Sequence, residues 1–103
     1  MALTHWTFVY CSAGLPDAGD LRTVTSPTST TVLAGFGTVA AARRAFEAGP
    51  LAQCLTETQL VELCGAFGHD DVATLRRLRP GLPVGLVGYA GEMTAELHAV
   101  FGD

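Results

Sequence analysis

Apolar and polar positions along the chain fall into short blocks of two different periods. Thr4 to Cys11, THWTFVYC, is rich in aromatic and β-branched residues and predicts a strand. Ser12 to Asp20, SAGLPDAGD, has the composition of a loop. Leu21 to Thr31 shows no helical period and is broken by Pro27, which predicts a short edge strand followed by a loop. Thr31 to Gly37, TVLAGFG, predicts another strand. Val39 to Ala48 predicts an Ala/Arg-rich helix, stopped by Gly49-Pro50.

The middle of the chain is less decided. Leu51 to Leu55, LAQCL, is short and apolar and fits either period. Thr56 followed three residues later by Gln59 has the form of a capping box. Leu60, Leu63, Cys64 and Phe67 then share one face at helical spacing, so a helix over about 57–67 is expected. Gly68 breaks it, and Asp70 or Asp71 can cap the next helix, whose apolar side carries Val72, Leu75 and Leu78.

The last block organises the rest. Arg76, Arg77 and Arg79 close a helix where cations suit the carbonyl end of its dipole, and Pro80-Gly81 stops it. Pro83 biases Leu82 to extended backbone. Val84, Leu86 and Val87 read as a strand covered on both faces, Gly88 to Gly91 as a tight turn, and Met93, Leu97, Val100 and Phe101 as a final helix. Alternation of strands and helices predicts a small α/β domain, an open, mostly parallel sheet with helices on both faces. VLAGFG with its Ala-rich helix echoes GLVGYA with the final helix, which suggests two similar strand–turn–helix units.

Composition narrows the function. The chain has 103 residues, 49% of them hydrophobic and 16% charged, enough for one folded domain. The net charge of −4 and pI near 5.1 argue against nucleic-acid backbone binding, apart from a local patch at Arg76 to Arg79. No apolar run is long enough to span a membrane, and the first residues lack the charged start of a signal peptide. Three cysteines in apolar segments read as reduced, buried thiols of a cytoplasmic protein.

Candidate chemistry is sparse. Cys11 ends a predicted strand, where open α/β sheets bind ligands, and could act as a nucleophile with His5 or His69. Asp17 stands where a cysteine phosphatase needs Arg, so a structural thiol is the preferred reading. His69, Asp70 and Asp71 cluster without any ligand spacing suited to zinc; a helix cap explains them, and neither metal nor cofactor is implied. Gly35-Phe36-Gly37 and Gly88 to Gly91 match no phosphate-binding pattern, and tight turns explain them. Gln59 to Leu78 can be read as helix–turn–helix, but Asp70 and Asp71 at the start of its second helix oppose phosphate.

LRRLRPGLPVGLVGYAGE, Leu75 to Glu92, resembles the fourth-strand region of response-regulator receiver domains. On that resemblance TVLAGFG and its helix match the second strand and helix, LAQCLTE the third strand, and Trp6 to Tyr10 the first. Glu57 then falls where the family carries its phospho-accepting Asp, and Cys11-Ser12 where it keeps an acidic pair. Leu15 to Ser26 would be the first helix, for which its composition is poor. The family's last strand, with its Lys, and its last helix have no counterpart before Asp103. The resemblance therefore implies a degenerate, shortened receiver without phosphoryl transfer. The expected function is a non-enzymatic interaction or regulatory module with a protein partner or in a homodimer, meeting its partner at Val84, Leu86, Val87 and Tyr89. The alternatives are a small enzyme or ligand binder using Cys11, and an acidic inhibitor of immunity-protein type.

Overall fold

A computed structural model describes residues 2–88 and 91–101. Five strands form one sheet. They are His5–Cys11 (β1), Asp20–Thr25 (β2), Thr30–Phe36 (β3), Leu60–Leu63 (β4) and Val84–Leu86 (β5). The helices are Val39–Glu47 (α1), Pro50–Cys54 (α2), His69–Leu78 (α3) and Thr94–Phe101 (α4), the last preceded by a 3-10 turn at Gly91–Met93. The strand order is β2-β3-β1-β4-β5; only β2 runs antiparallel to its neighbour. The fold is therefore the expected α/β class, a small open, mostly parallel sheet flanked by helices.

Chain direction decides where the helices lie. From β3 the chain passes through α1 and α2 to β4, on the far side of β1, and from β4 through α3 to β5. Both steps run the same way across the sheet, so right-handed crossovers place α1, α2 and α3 on one face. The core confirms this. Val9, Ala34, Phe36, Val61 and Leu63 from the strands form one buried cluster with Ala41, Ala42 and Phe46 of α1, Leu51 of α2 and Leu75 of α3. The expectation of helices on both faces is corrected: nothing in α1 to α3 covers the second face. Where the receiver resemblance placed a first helix, the chain forms β2 and a hairpin closed by Ser26 N–H to Ser29 O.

Two further readings are corrected in the middle of the chain. Leu51 to Leu55 is largely α2, a helix begun by Pro50 at its first position, where a missing N–H costs nothing. The helix expected over 57–67 is instead β4 with a loop on either side. Val61 and Leu63 alternate inward while Leu60 and Glu62 alternate outward, a strand period hidden within a coincidental helical one. The capping box does not form: Gln59 Oε1 accepts from the N–H groups of Thr4 and His5, at 2.7 and 2.9 Å, and so ties β4 to the start of β1. With β4 a strand, the helix–turn–helix reading of Gln59 to Leu78 is also excluded.

The N-cap of α3 is Gly68, not Asp70 or Asp71, and Asp71 reaches back to it from the third helical position. It accepts the Gly68 N–H at 2.9 Å and a pair of hydrogen bonds from Arg43 of α1, while only 2% exposed. Donation from Arg43 holds its carboxyl below the ordinary value of 3.8, against the opposing effect of burial. A carboxyl lowered in the folded state contributes stability that is present above its unfolded value and lost as pH falls through the folded one. Asp71→Asn is expected to cost about 1–3 kcal/mol at neutral pH. It should also flatten the loss of stability below about pH 4; urea midpoints of both proteins between pH 3 and 7 measure this.

Candidate functional site

The face of the sheet that α1 to α3 leave uncovered carries a set of large apolar side chains. Strand register sorts its side chains into rows. One row runs Val24, Thr31, Trp6, Leu60; the next runs Arg22, Leu33, Phe8, Glu62, Gly85; a third begins Asp20, Gly35, Tyr10. The central strand thus sends Thr7, Val9 and Cys11 toward the helices and Trp6, Phe8 and Tyr10 away from them. All three aromatic side chains are partly buried, by their neighbours on the face rather than by α1 to α3. Phe8 and Tyr10 stack with centroids 6.0 Å apart. The Tyr10 ring lies over Gly35, where a Cβ would come within 2.6 Å of it, and Leu15 from the β1–β2 loop closes over the same glycine. Val24, at the β2 edge of the face, is 57% exposed. Arg22 and Asp20 pair beside it at 3.0 Å.

The residues singled out for chemistry lie elsewhere and apart. Cys11 ends β1 on the helix-covered face, packed against the core, and burial together with nearby Cys64 and Asp71 pushes its thiol up, away from the thiolate a nucleophile needs. His5 is at the other end of the same strand, so the structure does not bring it to Cys11. His69 opens α3 and is exposed. Cys11, Cys54 and Cys64 are all free thiols. Among the described residues no group of three His, Cys, Asp or Glu is placed to hold a metal ion.

Glu57 follows α2 and precedes β4. It therefore sits at the amino end of the parallel strands, opposite the carboxyl end to which the receiver resemblance assigned it. There it lines a 170 Å3 cleft with His5, Thr7, Cys54 and Thr58. The buried Thr7 hydroxyl donates to Thr58 Oγ1 at 3.1 Å and lies 3.5 Å from Cys54 Sγ of α2, and Thr58 donates on to Leu60 O, so these two hydroxyls are occupied in joining β1 to α2 and β4.

β5 is an edge strand, but Val84 and Leu86 turn their side chains into the core, and Val87 is held by its N–H to Leu63 O at 2.9 Å. Tyr89 lies outside the described residues. Of six arginines, Arg22, Arg43 and Arg44 approach Asp20, Asp71 and Asp17. Arg76 and Arg77 sit in the last turn of α3, and Arg79 caps it while donating to Ala52 O of α2 at 3.1 Å. α4 is exposed along most of its length, with Val100 77% exposed; the expected helix is present, but Met93 and Val100 do not pack into the core. No described helix is long and apolar enough to cross a membrane.

The aromatic face was missed in the sequence because both sides of THWTFVYC are apolar, which reads as a strand buried twice. Its signal was the segregation of size: the three large rings fall on one parity, and Thr, Val and Cys on the other. A search among curated proteins finds no match to the chain. One family profile matches residues 4–102, nearly the whole domain, and the chain belongs to that family, the family of unknown function DUF6506.

Proposed function

We propose that this chain is a non-enzymatic interaction module, regulatory rather than catalytic, that works in the cytoplasm by covering the open face of its sheet with a protein partner. The observation that carries the reading is the one-sided helix layer, which leaves Trp6, Phe8, Tyr10, Leu33 and Leu60 on a contiguous apolar surface. Surfaces of this kind mark contact sites in folded proteins. Cys11 and His69 stand apart from each other and from the cleft that His5 shares with Glu57, which supports a function without a reacting centre. Strand–helix alternation from Thr30 to Leu86 supports the likeness in shape to receiver domains, while the β2 hairpin departs from it. The contact surface thereby moves from the β5 edge, three residues long and beside Arg76, to the face.

Hydroxyl-radical footprinting tests the reading. Oxidation of Trp6, Phe8 and Tyr10 is expected to be several-fold slower in concentrated cell extract than in dilute purified protein, while the exposed Met93 reacts alike in both. With the purified protein diluted until it is monomeric, equal oxidation of the three aromatic residues relative to Met93 under both conditions would rule out a covered face.

A further inference from the structure

We infer that the occupant of the open face is a second copy of the same chain, packed sheet to sheet about a two-fold axis running along β1. The inference rests on the interaction reading above and adds the partner's identity and orientation.

Area is the first argument. A monomer of 10.7 kDa is expected to expose about 5,500 Å2. This chain exposes 6500 Å2. The excess, roughly 1,000 Å2, is shared between the open face and the exposed α4, and is of the size of the approximately 800 Å2 that each partner buries in a standard stable interface.

Charge fixes the orientation. Across the middle of the face the row reads Arg22, Leu33, Phe8, Glu62, Gly85, with a cation that Asp20 partly neutralises at one end, an anion toward the other and Phe8 central. An axis along β1 sets β2 of one copy over β5 of the other. Arg22 then faces Gly85 of the second copy with that copy's Glu62 beside it, and Phe8 meets Phe8. An axis across the strands would instead set Arg22 on Arg22 and Glu62 on Glu62, which like charge opposes.

Gly85 is the third argument. A glycine within a strand weakens it and often marks the close approach of another backbone or ligand. Nothing inside the chain requires one here. A Cβ at Gly85 would find only ordinary contact, with Glu62 Cγ at 3.7 Å and Val61 O at 4.0 Å, and its φ is not in the left-handed region. Its bare backbone leaves the space that an incoming Arg22 side chain from the second copy needs.

Sedimentation of the purified chain, read together with the emission of its single tryptophan, Trp6, tests the inference. The expected result is a dimer whose Trp6 emission is blue-shifted and moves to the red on dilution, in step with dissociation. Arg22→Glu and Glu62→Arg should each weaken the dimer at least roughly tenfold, and the double exchange should restore it. Gly85→Val should dissociate the dimer while keeping the far-ultraviolet circular dichroism of the folded chain. The restored double exchange guards against a variant that merely fails to fold. A purified chain that stays monomeric at every concentration, yet is protected from oxidation in extract, would overturn the second copy and leave the interaction reading standing. A dimer indifferent to both charge exchanges and to Gly85→Val would place self-association on another surface and overturn the inference equally.

Discussion

Phe36→Ala is expected to remove about 3–5 kcal/mol of stability, a large share of the roughly 5–15 kcal/mol that holds a domain of this size. Phe36 ends β3 fully buried, in register with Cys11, and its ring fills the space beside Gly19 so closely that a Cβ there would lie 2.5 Å from it. Gly19 has φ of +89° and cannot change without strain, so the loop before β2 is moulded on this ring. Truncation leaves a cavity bordered by backbone that has little freedom to collapse, which sets the cost toward the upper end of the range. Chemical denaturation of the two proteins measures it. A loss below about 1.5 kcal/mol would mean that the loop closes into the space, and that Phe36 is not the joint between β3 and the β1–β2 loop.

Gly37→Ala is expected to be nearly as costly for the opposite reason. A Cβ at Gly37 would run into the carbonyl oxygen of Leu15. That atom is backbone, in a loop already pinned at both ends by Ser12 N–H to Phe36 O and by Leu15 N–H to Ser12 O. It cannot rotate away as a side chain would. Relief requires moving the loop or the start of α1, where Thr38 accepts the Ala41 N–H at 3.1 Å. A loss of about 2–4 kcal/mol is expected, within the range for overpacking and a disturbed cap. Thermal unfolding of Gly37→Ala beside Gly14→Ala supplies the control, because a Cβ at Gly14 meets nothing within 4 Å although its φ is +93°. Gly37 itself is not left-handed, so equal melting temperatures for the two variants would show that the clash costs no more than the backbone strain at Gly14. The glycines of Gly35-Phe36-Gly37 are thus explained by steric need at both positions, with no anion required.

The elements legible in the sequence were those with both a clear period and a clear stop. β1, β3, α1, α3 and β5 are bounded by Gly, Pro or capping residues and came out within a residue or two. β4 failed because four residues carry too little pattern. Leu60, Leu63, Cys64 and Phe67 happen to recur at helical spacing, and only pairing with β1 on one side and β5 on the other settles the matter. The open face could not be read because coverage depends on strand order, and strand order is set by contacts distant in sequence. Thr4 to Cys11 shows apolar residues on both parities; which parity meets helices follows from β3 and β4 taking opposite sides of β1. Among the site residues, the place of Cys11 at the carboxyl end of β1 is legible from the strand pattern and the loop composition that follows it. The position of Glu57 failed with the element boundary it depended on.

β1 precedes the other four strands in the chain yet stands in the middle of the sheet, and this imposes a delay during synthesis. Thr4 donates its N–H to the side-chain oxygen of Gln59, 55 positions on. At ordinary ribosome speeds the nascent chain waits roughly 3–10 s before that partner exists. Until then only the β3 flank of Trp6, Phe8 and Tyr10 can pair, and the central strand of the finished sheet stands as an edge.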